Sequence, residues 1–391
     1  MKNKMFIANF LFIIFSLGIL TFITPDKKIS AVEKRELAQL PNVTRDNILN
    51  GESLTNFQDY FNDQFYTRDF LIKIYTKGQL LLNKSMINNI VITEDNWLLG
   101  EPIEENKNDI DIGLDNLYKF SNFLEKNQVE AYFALAPNSM NLFSNKYPDY
   151  LKENKGIENR SYFLSEFPTN MHLIDLPDYF SDHYSYAEQE GFYYRTDHHW
   201  NMKGAFIGYQ EIMNQMEKTS SGIKVQAKDA DDFIIDCNNE AAFVGSRNIQ
   251  LYGLIDARGE QVCRYLPNKI NLSEFSAIDR NGNHITDFNK IFGSGLNNKK
   301  VSYTDLFSYD YPEIKFSFEN TNNRRLLILK DSYANPIIPL IASHFSETFI
   351  LDIRHYKGDI SKYVSSNGID IVLILYNDTN LSGEMYKFIK D

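Results

Sequence analysis

Apolar residues fill the stretch from Met5 to Ile23, interrupted only by Asn9, Ser16, Gly18 and Thr21, and Pro25 closes it. A run of about 20 such residues is long enough to cross a bilayer as a helix. Residues 25–50 are polar and charged and read as a tether. From Leu54 a helical period runs through Phe57, Phe61, Phe65, Leu71 and Ile74, which predicts a packing helix. A second helical stretch, Ile112 to Leu124, leads into Val129 to Ala136, a continuous apolar run that reads as a buried strand ending at Pro137-Asn138. His172 to Leu176 is a short strand. Asn201 is positioned to cap a helix whose apolar residues are Ala205, Ile207, Tyr209, Ile212, Met213 and Met216.

Between Glu217 and Asn323 no long periodic segment survives, and Asn, Asp, Ser and Gly are frequent. This region reads as an insertion or a small β-rich subdomain. Order then returns: a strand over Arg325–Leu329, a helix over Pro336–His344, a strand over Thr348–Asp352, a helix over Ile360–Val364 and a strand over Asp370–Leu375. Alternation of this kind with short connections predicts an α/β fold with a doubly wound parallel sheet, whose chemistry belongs at the carboxyl ends of the strands. The expected organisation is a membrane anchor over residues 1–24, a linker over 25–50, and one large domain over 51–391 with an insertion at about 217–323.

Composition narrows the function classes. The 391 residues are 43% hydrophobic and 14% aromatic, enough for a sizeable core. The formal net charge of -12 argues against a nucleic-acid partner, because phosphate binding needs a basic surface. Lys2 and Lys4 precede the apolar run and favour a cytoplasmic N-terminus, which puts the rest of the chain outside. No small-residue cleavage site stands before Pro25, so the segment reads as an uncleaved signal-anchor of a single-pass protein; cleavage would instead release a secreted form. Cys237 and Cys263 are too few for a disulfide scaffold and lack zinc spacing. Their separation suits one bridge, and two unpaired core thiols suit it equally.

Three clusters fall where a parallel sheet would hold a site. In Arg325-Leu-Leu-Ile-Leu-Lys-Asp331-Ser332-Tyr333, a serine just past a buried strand has its hydroxyl at the sheet's rim and its N–H available to an oxyanion. In Tyr194-Arg-Thr-Asp197-His198-His199-Trp200-Asn201, a carboxylate and an imidazole two residues apart can project the same way. One loop could thus supply a general base and the acid that orients it. His198 is expected to face away from His199 in a structural role. In Asp370-Ile-Val-Leu-Ile-Leu-Tyr376-Asn377-Asp378, an amide donor ends an apolar strand at the same rim; Arg354, just past Asp352, either binds a polar substrate or pairs with an acid. Tyr193 and Tyr194 could stack on sugar rings or simply pack.

Taken together, these residues resemble the DHHW protein family, which is related to the SGNH-like domain of the alginate O-acetylation proteins with its motif order circularly permuted. Asp197-His198-His199-Trp200 matches the Asp-x-His-Trp element, Lys330-Asp331-Ser332 the Gly-Asp-Ser element, and Tyr376-Asn377-Asp378 the Gly-x-Asn-Asp block. The stretch from Phe57 to Arg68 and Ala136-Pro137-Asn138 also fit. Lys330 and Leu375 replace the family's glycines. The resemblance implies an SGNH-like fold and a serine-dependent O-acetyltransferase of an exopolysaccharide or cell-wall polysaccharide. Ser332 would be the nucleophile, His199 the base and Asp197 its orienting acid. Asn377, Arg354 and Tyr333 would bind the oxyanion or substrate. It further implies a multipass membrane O-acyltransferase partner as acetyl donor, and no cofactor or metal. An acetyl esterase with the same residues, or a non-catalytic assembly protein for polysaccharide export, are the alternatives. An Asp-His-His metal motif of cytosolic phosphoesterases would need further aspartate clusters that the sequence lacks.

Overall fold

A computed structural model describes residues 2–390 apart from 31, 34, 43, 221–225, 268–271, 293–294, 309 and 320–321. Parts of the expected insertion therefore lie outside the described residues. The chain divides into two compact units, Met1–Ile90 with Asn248–Asp256, and Val91–Arg247 with Ala257–Asp391.

The first unit contains the N-terminal helix Lys2–Ile23 and a pair of helices, Glu52–Gln64 and Arg68–Leu81. Among the described residues, Asn3–Ile23 is the one helix long and apolar enough to cross a membrane. Its 21 residues rise about 30 Å, the thickness of a bilayer's hydrocarbon. The helix pair turns at Phe65–Thr67, where the Arg35–Asp63 and Arg68–Glu33 ion pairs clamp it to the segment after the N-terminal helix. The periodic residues Leu54, Phe57, Leu71 and Ile74 do not form a core as expected. All four stand exposed, because the helices' buried side holds Tyr60, Gln64 and Thr76 instead.

The second unit is built on one eight-stranded sheet. Its strands in chain order are β1 (Glu130–Ala136), β2 (His172–Asp175), β3 (Leu272–Ile278), β4 (His284–Ile285), β5 (Glu313–Phe318), β6 (Arg325–Lys330), β7 (Glu347–Asp352) and β8 (Ile371–Asn377). They lie in the spatial order β4-β3-β5-β7-β6-β8-β1-β2. Strands β7, β6, β8, β1 and β2 are mutually parallel, as the alternation predicts. The remaining three pair antiparallel. The expectation of a purely parallel sheet is thus corrected to a mixed one: the 217–323 region does not stand apart but adds β3, β4 and β5 to the edge of the same sheet.

The parallel strands are apolar on both faces because both faces are covered. Ala134, Ala136, Ile328, Leu373 and Leu375 pack on one side with the helix Met202–Thr219. Phe133, Leu135, Leu327, Leu329 and Ile374 pack on the other with the helix Lys107–Lys126. Register aligns Lys330 with Asp352 and Leu375, and Asn377 with Ala136. The residues that follow these strands therefore share one rim. Outside this sheet, strands Phe233–Cys237 and Cys263–Pro267 pair antiparallel with Cys237 opposite Cys263, and a disulfide joins the two cysteines.

Candidate active site

Strand β6 ends because Asp331 captures the backbone that follows it. Its Oδ1 accepts the Tyr333 N–H at 2.8 Å and starts a short 3-10 turn, Ser332–Ala334. Its Oδ2 accepts the Asn377 N–H at 2.8 Å and the side-chain amides of Asn377 and Asn380 at 2.7 Å each. A fully buried carboxylate satisfied by four N–H donors ties the ends of β6 and β8 together. This holds the half-buried Ser332 at the rim.

The loop carrying Asp197 and His199 folds back on itself, with Tyr193 bridging Trp200 and the Asn201 N–H donating to Phe192 O at 2.8 Å. Asn201 then caps the helix Met202–Thr219 through the N–H groups of Lys203 and Gly204. The bend directs Asp197 and His199 to the same side. The Asp197 Oδ1 lies 2.7 Å from His199 Nδ1, and His199 Nε2 lies 2.8 Å from Ser332 Oγ, across 133 residues of sequence. With Nδ1–H donating to Asp197, Nε2 is left to accept from the serine hydroxyl. Burial pushes the Asp197 carboxyl up, but the facing imidazole, by charge and hydrogen bond, overcomes this and holds it well below the usual carboxylate range. The N–H groups of His199 at 3.1 Å and Ser246 at 2.6 Å complete its hydrogen bonds.

The two segments are laced together by the motif's other residues. The buried Trp200 donates its indole N–H to Tyr333 O at 2.9 Å, and the Tyr333 hydroxyl donates to His198 O. His198 does not face away as expected. Its ring centroid is 3.7 Å from that of His199, and its Nδ1 is 2.8 Å from Ser246 Oγ. The bent loop, rather than an extended one, brings the two imidazoles side by side.

Three residues expected at an oxyanion or substrate are engaged by protein instead. Asn377 directs its amide N–H to Asp331, and its carbonyl accepts from Thr379 Oγ1 at 2.6 Å and Asn138 Nδ2 at 3.0 Å. Tyr333 is buried as the brace just described. Arg354 takes the acid-pairing alternative, with Asp352 at 2.6 Å and Asp310 at 3.0 Å. The buried Lys330, standing where the family has glycine, completes this network through Asp310 and Asp352, each at 3.0 Å. Burial raises the Asp310 carboxyl, and the two cations more than reverse it. Tyr193 and Tyr194 are core residues; Tyr194 stacks on Phe243 with centroids 3.9 Å apart. The Ser332 N–H, in contrast, donates to no group among the described residues.

Sequence reasoning missed several residues that build the site. Tyr303 stacks on His199 with centroids 3.6 Å apart and planes within 2°, and its hydroxyl donates to Ser332 O at 2.8 Å. The buried Arg247 donates to Leu98 O at 2.7 Å and to Asp197 O at 3.3 Å. Glu260 accepts from the Thr196 N–H at 2.9 Å. All three come from the aperiodic 217–323 region, where nothing in the spacing marks them. Gly245 was the one available signal: a Cβ there would sit 2.1 Å from Thr196 O, so the close approach of the two backbones requires glycine.

Among the described residues two groupings have the spacing of a metal site, Asp197-His198-His199 and Asp310-Asp352-His355. In the first, His199 and Asp197 face one another and Ser332; in the second, Lys330, Arg354 and Arg280 already sit on the acids and the imidazole. Neither donor set suits a cation.

The model of the DHHW protein matches residues 169–351. The structure of Bacillus cereus PatB1 with a sulfonyl adduct is 38% identical, with a TM-score of 0.72 over 78% of this chain and 100% of that one. A second structure of PatB1 is 39% identical, with a TM-score of 0.72 over 76% of this chain and 99% of that one. A DHHW family protein from Eubacterium siraeum DSM 15702 has the same fold at 19% identity, with a TM-score of 0.58 over 77% of this chain and 96% of that one. No curated protein matches. On the motif, the shared fold and the extent of these matches, the chain belongs to the DHHW protein family.

Proposed function

We propose that the protein is a serine-dependent O-acetyltransferase of an exopolysaccharide or cell-wall polysaccharide, working outside the cytoplasmic membrane. The observation that carries this reading is the unbroken chain of contacts from Asp197 through His199 to Ser332 at 2.7 and 2.8 Å. His199 Nε2 takes the hydroxyl proton as Ser332 Oγ attacks the acetyl carbonyl, and Asp197 stabilises the imidazolium. The unengaged Ser332 N–H is the donor available to stabilise the oxyanion. The imidazolium returns its proton to the leaving group, which departs and leaves acetyl-Ser332. A sugar hydroxyl then attacks that ester, His199 takes its proton, and the serine leaves with the proton returned.

Family membership supports the acyl-transfer reading. So does the sulfonyl adduct of PatB1, since an adduct of that class forms on a nucleophilic side chain. The SGNH-like kinship with its permuted motif order enters on the sequence resemblance: Asp197 and His199 precede Ser332 in the chain. The basic residues before the apolar helix and the cross-strand disulfide support an extracytoplasmic location, because such bridges persist in oxidising compartments. Acetyl-CoA is not expected there, which makes a multipass membrane O-acyltransferase the fitting donor.

The test is a product balance: the full-length protein in detergent, an activated aryl acetate, and oligosaccharides released from the cell envelope. Acetylated oligosaccharide formed by the wild type and not by Ser332→Ala supports the transferase. Free acetate alone would make it an esterase. Equal products from both proteins would leave only the assembly role.

A further inference from the structure

Within the first unit, the helix Arg68–Leu81 carries a solvent-facing stripe that no core explains. Phe70, Leu71, Ile74 and Tyr75, spaced three to four residues apart, and Leu81 and the C-cap Leu82, two turns beyond the second pair, share one side of the helix. Each is between 47% and 82% exposed. The opposite side is turned inward through Ile72 and the buried Thr76. The exposed lysines Lys73 and Lys77 border the stripe along one edge. A contiguous apolar face of this size rimmed by basic residues marks an interaction surface.

The anchor identifies the occupant. The Tyr66 N–H donates to Thr21 Oγ1 at 3.2 Å, in the last turn of the N-terminal helix. The Phe22 ring lies 6.5 Å from Phe57 and 6.3 Å from Phe61. Phe61 and Phe65 line an apolar groove of about 680 Å³ whose other wall runs from Ile14 to Ile23 of the anchor. The turn before Arg68 is thus held against the last turn of the apolar N-terminal helix, and Phe70 and Leu71 of the stripe follow it within one helical turn.

We propose that the helix Arg68–Leu81 lies in the membrane interface, its apolar stripe among the headgroups and first acyl carbons and its lysines toward anionic lipid. Aromatic and aliphatic side chains on one side with lysines at the border are what that boundary selects. The inference rests on reading Lys2–Ile23 as a membrane anchor. It adds a second contact that fixes the height and tilt of the first unit on the bilayer.

Spin labels test it in the full chain reconstituted into phospholipid nanodiscs containing a minority of anionic lipid. The two native cysteines are bridged, so a single introduced cysteine can be labelled selectively. Labels at Leu71→Cys and Tyr75→Cys should collide with oxygen several-fold more, relative to a water-soluble nickel chelate, than a label at the exposed Asn281→Cys. A label at Phe12→Cys reports the anchor itself. A lipid-buried label at 12 with labels at 71 and 75 as water-exposed as that at 281 would overturn the interface helix and leave the stripe to a protein partner. A water-exposed label at 12 would overturn the anchor reading first, and the present inference with it. Because the labelled positions are exposed, loss of fold does not confuse the outcome, and circular dichroism of each variant checks it.

Discussion

The two halves of the central sheet differ in what they contribute. The parallel half, β7-β6-β8-β1-β2, delivers Ser332, Asp331, Asn377 and Arg354 to one rim, each within two residues of a strand's end. The antiparallel half and its connections reach in from the side with Tyr303 against His199, and the segment Gly245–Arg247 beneath Asp197. Nucleophile and capping acid thus belong to strands whose positions are dictated by burial on both faces. The residues that hold the imidazole and its acid in place belong to loops whose positions depend on the finished fold. The nucleophile comes from the parallel half, the base and its acid from the loop that precedes the helix Met202–Thr219, and further contacts that orient them from the added half.

Substitutions can break that division. Asp197→Asn should lower kcat for acetyl transfer by about 10² to 10⁴-fold by removing the charge that orients His199; because the buried carboxylate accepts from His199 Nδ1 and two backbone N–H groups, the amide should also lower the melting temperature at neutral pH. If the antiparallel half only orients, Tyr303→Ala should cost about 10 to 100-fold in kcat while the protein still acylates at Ser332. Tyr303→Phe, which keeps the stack and loses the bond to Ser332 O, should cost less. Abolition of acylation by Tyr303→Ala would move Tyr303 into the chemistry itself.

The disulfide sharpens the comparison from the side of stability. Replacing both Cys237 and Cys263 with serine opens a loop of sequence separation 26. The loss should be about 3–4 kcal/mol in denaturant unfolding, with acylation of Ser332 retained, because the cysteines are not among the groups bonded to Asp197, His199 or Ser332.

A pH effect concerns Asp378, at the parallel rim. Burial drives its carboxyl up to about 7 from an ordinary 3.8, against the Asn138 N–H bond at 2.9 Å. Between those values the folded protein holds a proton that the unfolded chain has released, so stability should fall as pH rises through that window. Asp378→Asn should flatten the decline in melting temperature from acid to neutral pH. An unchanged decline would mean that other groups cause it.

Much of the parallel half was legible because its strands are unbroken apolar runs, and because a serine and an Asn-Asp pair each stood beside one, while the His-Trp pair stood out by its residue types before a capped helix. Strand β5 shows why the other half was not. Glu313-Ile-Lys-Phe-Ser-Phe318 alternates buried and half-buried positions, a valid strand pattern, but six residues amid Asn- and Asp-rich sequence carry little weight. Its partner β3 lies 35 or more residues upstream, so no local signal joins them. Asn377 illustrates a different difficulty. An amide at a strand end is as well suited to satisfy a buried aspartate as an oxyanion, and only the position of Asp331 decides. The stripe on Arg68–Leu81 had the period of a packed helix, and period alone does not distinguish a core from a lipid surface.

The central claim is that Ser332 Oγ becomes acylated through His199. Intact-protein and peptide mass spectrometry after brief exposure to an activated aryl acetate tests it most directly. The account predicts one acetyl group, located on the peptide containing Ser332, in wild type and Tyr303→Ala. It predicts no acetyl group there in Ser332→Ala and strongly slowed labelling in an otherwise folded His199→Ala. Acetylation elsewhere with Ser332 unmodified, or equal labelling when His199 is removed, would contradict it.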